Sequence, residues 1–441
     1  MAHLRPMRAR LPLPVLLGLL ATAGCDGSAT PDAGAADAGH PDAGPADAGT
    51  DAGRDAGPAR CPEGLADRRV ALDDDGSLTQ IHPAVAFDGR GLWVAWVRPE
   101  AGGGGGFDVF ASRVGCDGRP LVAPFAAQSA PAGNDIDPAV AVDGDAVLLS
   151  WQRDDGTGVD NLEVGYRLFD RDGTPRGEDR TLRTTHEGAP VEGNHMGAKL
   201  AARPGGGFVV AGARALPGLD RFAAYAQPLT ADGALDGPAR DPAVEAEVGQ
   251  TAVAVDAAPD GTIWVAYDRQ PDGGDPAVVA GALDAAPPAP VLDDPALSAG
   301  ADLLATDDAV WVALSGERLG ERDLRLVDVS RPLAERRPLV VGEAGRVDHT
   351  PRLARSADGA MAVAWFRQIR GFENELWVAR FTPTPDGPPV LGEPVRVDRI
   401  GVPAYEPALA HAGGDFWFVA FAEGDNPNFR VIGRFVALPS P

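Results

Sequence analysis

The phrase HPAVAFDGRGLWVAW, from His82, returns as DPAVAVDGDAVLLSW from Asp137, and few folds are open to a chain that repeats one short hairpin. Seven copies are readable: those two, GAKLAARPGGGFVVAG from Gly197, QTAVAVDAAPDGTIWVAY from Gln250, ADLLATDDAVWVAL from Ala301, TPRLARSADGAMAVAW from Thr350 and EPALAHAGGDFWFVAF from Glu406. The spacing runs from about 48 to 60 residues, the length range of a small supersecondary unit. A third apolar segment follows most copies, as in FDVFASRV, LEVGYRLF and ELWVARFT. Turns such as CDGRP and DRDGTP come next, then a weaker fourth segment such as PLVVG.

Four short antiparallel strands per repeat, joined by tight turns, predict an all-β fold: a seven-bladed β-propeller over residues 61–441. The first strand of each copy carries alanine repeatedly (Ala84, Ala86, Ala139, Ala141, Ala408, Ala410), as inner strands crowded round an axis require. The second strand is apolar at consecutive positions, which is the mark of a strand covered on both faces. Trp93, Trp96, Trp151, Trp264, Trp311, Trp365 and Trp417 all fall there and are read as packing between blades. The last copy ends after its third strand, and an orphan fourth-strand pattern, RRVALDD, precedes the first copy. Residues 69–72 are therefore expected to add to the outside of the last blade and close the ring.

The first sixty residues read differently. Arg5, Arg8 and Arg10 precede the apolar run LPLPVLLGLLA, which is too short to span a bilayer and reads as a signal peptide over residues 1–24. TAGC, ending at Cys25, resembles the lipobox of bacterial lipoproteins, though Thr22 stands where the strongest form has leucine; the resemblance implies lipidation of Cys25. Residues 25–60 hold six Asp-Ala-Gly units with interspersed proline, a disordered tether with no hydrophobic face to bury. Such a coil of about 35 residues spans roughly 30–35 Å. Export to an oxidising compartment makes Cys61 and Cys116 a disulfide pair. The expected location is the cell envelope, extracytoplasmic, at the outer membrane or cell surface rather than the inner membrane. A formal charge of −25 with 39 basic residues excludes nucleic acid as a partner, and of those basic residues one, Lys199, is lysine.

When the copies are aligned on the start of the inner strand, the leading residue is His82, Asp137, Gly197, Gln250, Ala301, Thr350 and Glu406. Two positions earlier stand Gln80, Asp135, His195, Val248, Ala299, Asp348 and Ala404. Residues two apart in extended chain point the same way. His82, Asp135, Asp137, His195, Asp348 and Glu406 are therefore expected to gather at one channel mouth. That mixed carboxylate–imidazole set suits a polar ligand or a divalent cation, with a solvated mouth as the alternative. No other cofactor is expected. The sequence holds no Gly-x-Ser-x-Gly elbow and no His-Glu-x-x-His motif.

The repeats resemble the β-propeller ectodomains of bacterial lipoproteins. SADGAMAVAW, from Ser356, is also similar to the Asp-box of sialidases, although its spacing and its place between first and second strands differ. That second resemblance implies six blades, an arginine triad and a Tyr–Glu pair. Tyr405 and Glu406 are adjacent, so their side chains point apart. The expectation is a lipid-anchored, monomeric binding or scaffold protein without catalytic activity, recognising a protein or glycan. The alternatives are a sialidase-like glycoside hydrolase or a metal-binding propeller.

Overall fold

The computed structural model describes residues 68–441 apart from short internal segments (74–78, 101–105, 130–132, 155–161, 187, 192–193, 217–220, 244, 246–247, 286, 294–297, 319–320, 343–345, 371–372 and 426–427). The signal peptide with Cys25, the tether and Cys61 lie outside the described residues. Among the described residues there is no α-helix, and the sole helical element is the short 3₁₀ turn Leu333–Glu335.

The repeated hairpin forms an antiparallel sheet each time. The inner strands are Ile81–Phe87, Asn134–Asp143, His195–Ala202, Val248–Ala257, Ser298–Ala305, Val347–Arg355 and Ala404–Gly413. Each pairs with a second strand, and that with a third, giving seven such units among the described residues. Outer strands complete six of them. In the seventh unit the outer strand comes from the other end of the chain: Arg69–Ala71 pairs antiparallel with Asn428–Ala437, Val70 facing Gly433.

The expectation of four strands in every unit is corrected in the third. There the outer edge is reduced to two isolated bridges, Ala226 with Arg240 and Leu229 with Leu235, among the described residues. The segment RTLRTT also divides. Arg180–Thr181 pairs in the second unit, and Thr184–His186 turns away to form a separate hairpin with Ala189–Val191.

The continuous apolar runs of the second strands are explained by burial on both faces. Leu92, Val94 and Trp96 pack with Ala408, Ala410 and Phe418 of the seventh unit. Their neighbours Trp93, Ala95 and Val97 pack with Val140, Val147 and Leu149 of the second. The same alternation joins the other units in turn. Trp93, Trp96, Trp151, Trp365 and Trp417 are completely buried. On transferred area alone each contributes roughly 4–6 kcal/mol.

Each inner strand slips register just after its start, and the seventh slips again between His411 and Gly413. At the slip, one residue takes the left-handed conformation: His82 (φ 54°), Asp137 (50°), Gly197 (66°), Ala252 (50°), Gly300 (66°), Thr350 (53°) and Glu406 (56°). Five of these carry a Cβ, which costs about 1–2 kcal/mol apiece in that region. The inner strand of every unit lies beside that of the next, and that of the seventh lies beside the first.

Two substitutions test this bulge. A Cβ built at Gly300 meets nothing within 4 Å, so Gly300→Ala isolates backbone strain. It is expected to lower unfolding free energy by about 1 kcal/mol. Ala252→Gly, at an exposed left-handed site, is expected to raise it by up to about 1 kcal/mol. Urea unfolding of both variants decides; a stabilised Gly300→Ala protein would show that the slip is not strained.

Candidate functional site

The bulge decides which polar residues meet. A residue in the left-handed region breaks the two-residue alternation of the strand, so side chains on either side of it no longer share a direction. The expected six-residue cluster is therefore corrected to two groups of three. His82, Asp137 and Glu406 come together at the start of the inner strands. Asp135, His195 and Asp348 turn into the stack between sheets. In the fourth and fifth units the aligned position is Ala252 and Gly300, not Gln250 and Ala301, because the slip comes two residues later and one earlier.

His82 is held at both ring nitrogens. Its Nδ1 lies 2.5 Å from Asp137 Oδ1 and its Nε2 lies 3.1 Å from Glu406 Oε1. The His82 backbone N–H also donates to Glu406 Oε2 at 2.7 Å. A neutral imidazole donates through one nitrogen, whereas two carboxylates accept from both, so this geometry selects the imidazolium. Burial alone would lower the His82 pKa, but Glu406 and Asp137 outweigh it and raise it to about 9. For Asp137, burial works against ionisation, but the hydrogen bond and charge of His82 prevail and its pKa is lowered. The side chains remain 23% (His82), 38% (Asp137) and 29% (Glu406) exposed, so the clamp is open to a ligand.

Two positions beyond the bulge, the inner strands carry Ala84, Ala139, Lys199, Ala254, Asp302, Arg352 and Ala408. Lys199 feels the charges of Arg352, Asp137, Asp302 and Glu406, which come from four other units. It is exposed to water yet enclosed by protein, as a side chain in a narrow axial space is. That enclosure, and then Arg352, lower its pKa. Asp302 accepts the Leu353 N–H at 2.7 Å. The sequence reading passed over these three charged residues. The available signal was an exception: they break the alanine rule at a position where the other four copies keep it.

The second group braces the sheets. Asp135 is completely buried and accepts from Arg153 Nε at 3.1 Å; burial pushes its pKa up to about 6 against the pull of Arg153. Asp348 accepts from Trp365 Nε1 and Arg367 Nε, both at 3.1 Å. His195 is buried, with Nε2 3.0 Å from Thr184 Oγ1 and its ring edge-on to Tyr225. Arg153 and Arg367 belong to a series at the ends of second strands. Arg98 with Asp73, Arg214 with Asp241 and Arg269 with Glu245 repeat the pairing. Several of these guanidinium groups lie over aromatic rings, Arg98 over Phe110 at 3.3 Å among them. These are pins between neighbouring strands, not a carboxylate-binding triad.

Tyr405 packs edge-on against Phe429 while its neighbour Glu406 reaches His82, so no Tyr–Glu pair forms. Ser356 caps its own turn, accepting the Ala360 N–H at 2.7 Å. Cys116 is partly buried against the core of the first and seventh units. Among the described residues no group of three or more His, Cys, Asp or Glu side chains is arranged to hold a metal ion.

No known family model matches the sequence, and no curated protein matches it either. Solved structures do. A polysaccharide lyase, an ulvan lyase of family PL25 bound to -[GlcA(1-4)Rha3S]-, is similar over 83% of this chain and 94% of its own, with 11% identity and a TM-score of 0.53. The α-L-arabinanase of Penicillium chrysogenum is similar over 84% and 97%, with 14% identity and a TM-score of 0.46. The sialidase of Trypanosoma rangeli is similar over 83% of this chain and 56% of its own, with 8% identity and a TM-score of 0.42. At 11% identity the likeness to the lyase establishes the fold alone, all-β and propeller-like. The expectation of a chain without catalytic activity is corrected by the lyase match. The lyase that shares the fold is an enzyme, so the fold gives no ground for expecting a non-enzyme.

The clamp has a pH signature. His82 has a folded pKa of about 9 against an ordinary 6.5. Its stabilisation is thus complete below pH 6.5, declines above that and is gone once pH passes 9. The difference in unfolding free energy between the native protein and His82→Asn is expected to shrink over that window. An imidazole NMR titration with a midpoint below 7 would contradict the clamp.

Proposed function

We propose that the chain is a glycan-acting enzyme on a closed seven-bladed β-propeller, its active site at the mouth formed by His82, Asp137 and Glu406. The observation that carries this reading is the imidazolium held between two carboxylates where the inner strands begin. Closure is supported by the pairing of Arg69–Ala71 with the last strand and by the packing of the first and seventh inner strands. A glycan-acting role is favoured by the polysaccharide lyase that shares the fold.

The chemistry needed is cleavage of a bond to a sugar oxygen, with one group giving a proton and another taking one. His82 carries the proton. Glu406 accepts from the His82 backbone and ring and so is aimed at the same atoms. Asp137 fixes the far ring nitrogen, the part an orienting carboxylate plays beside a catalytic histidine. A sugar that displaces Glu406 from Nε2 removes half of the imidazolium's support and brings its pKa toward neutrality, where proton donation is efficient. The side chains alone supply this chemistry.

The same proposal gives the enzyme its place. Cys25 carries the lipid, residues 26–60 act as the leash, and a Cys61–Cys116 disulfide ties the start of the domain to the first blade. The protein then works as a monomer outside the cytoplasm, at the outer membrane or cell surface, on glycans within reach of its tether.

Purified protein incubated with a panel of polysaccharides is expected to release new reducing ends. Glu406→Gln and His82→Asn are expected to lower kcat by about 100-fold or more with the circular dichroism spectrum unchanged. Turnover that survives both substitutions would remove the mouth as the active site, and no turnover on any glycan would remove the enzyme reading. Separately, metabolic labelling with a fatty acid is expected to mark the native chain and not Cys25→Ser; label on both would end the anchoring proposal.

A further inference from the structure

Two cations at the position just beyond the inner bulge, Lys199 and Arg352, have no anion in contact among the described residues. Among the described residues the Lys199 ammonium makes no hydrogen bond or ion pair, and the Arg352 guanidinium donates only to the Pro351 carbonyl, at 2.8 Å. The carboxylates nearest in charge are already engaged: Asp137 and Glu406 with His82, Asp302 with the Leu353 N–H. Lost hydration in an enclosed space disfavours the Lys199 cation, and the like charge of Arg352 adds to that. Such a pair is relieved by a bound anion, which gains charge-assisted hydrogen bonds from both.

Access is built in. At the mouth, the first, second and seventh units present His82, Asp137 and Glu406, while the third, fourth and fifth present Gly197, Ala252 and Gly300. A Cβ at Gly197 or Gly300 meets nothing within 4 Å, so this side of the mouth is open. Lys199 lies two residues below Gly197 on that same open side. A chain with 39 basic residues and one lysine has placed that lysine here. An ammonium on a flexible stem makes a point contact with an anion.

We propose that Lys199 and Arg352 form an anion subsite below the His82 clamp, which takes the carboxylate or sulfate group of an acidic sugar. This rests on the reading of the mouth as a glycan site and narrows the substrate to the acidic class. The anionic group sits between the two cations, and the ring of the sugar rises through the open side toward Glu406 and His82.

The test is equilibrium binding by calorimetry, with the full chain at constant ionic strength in chloride. The probes are sodium glucuronate, sodium sulfate and glucose. Glucuronate, sulfate or both are expected to bind, and glucose is not. Lys199→Gln and Arg352→Gln are each expected to weaken anion binding by about tenfold or more. Lys199→Arg, which keeps the charge, is expected to retain it within about threefold and guards against a variant that fails to fold. Preference for glucuronate assigns a carboxylate and preference for sulfate assigns a sulfate ester; both support the subsite. Glucose binding as well as glucuronate, or unchanged anion affinity in both glutamine variants, overturns it. Turnover of neutral glycans without anion binding would sink this subsite and leave the proposed activity standing. Anion binding without turnover of any glycan would do the reverse.

Discussion

A sheet that is apolar on both faces cannot stand alone in water, and this constraint organises the molecule. Each second strand places one set of side chains against the unit before it and the alternate set against the unit after it. No unit is satisfied until both neighbours are present. The terminal units face the same demand as the rest, and it is met by packing the first inner strand beside the last. The outer strand Arg69–Ala71 then fastens the seam with backbone hydrogen bonds, Arg69 to Glu423 and the burial of Val70.

The same crowding creates the site. Inner strands from every unit converge, so polar groups hundreds of residues apart in sequence become neighbours; Glu406 and His82 are 324 residues apart. Water is partly excluded there, and charges are felt across the gap. The His82 clamp answers two carboxylates with one imidazolium, while Lys199 and Arg352 lie within reach of that field without an anion in contact among the described residues. Elsewhere the charges are closed into pairs. Asp135 with Arg153 and Asp348 with Arg367 are spent on holding strands together, and they offer a ligand little. The division between braced and open charge, rather than the number of charged groups, separates scaffold from site.

Much of the architecture was legible because its signals are local. The Asp-Gly turns, the alanines of the inner strands and the unbroken apolar runs of the second strands are each read within one repeat. The tryptophans assigned to packing between units are largely buried there, Trp264 being only partly so. The fourth strands were less legible. Short edge strands carry little side-chain signal, and in the third unit the expected strand is reduced to two isolated bridges while RTLRTT is split between two hairpins. The candidate site was half legible. His82, Asp137 and Glu406 were found by position. Asp135, His195 and Asp348 were misplaced because a period of two was carried through a point where the backbone does not keep it.

By itself, the sequence determined the repeat, the strand order within each unit and the residues able to cover a sheet on both faces, since those follow from composition and periodicity over a few residues. Only the tertiary structure decided which polar side chains share the mouth and which are pinned between sheets. That outcome depends on a left-handed residue at each inner bulge, tolerated at Thr350 and Ala252 as well as at glycine, and on partners supplied by distant units. Neither a backbone torsion that packing imposes nor a neighbour across the axis leaves a mark in the local pattern of residues.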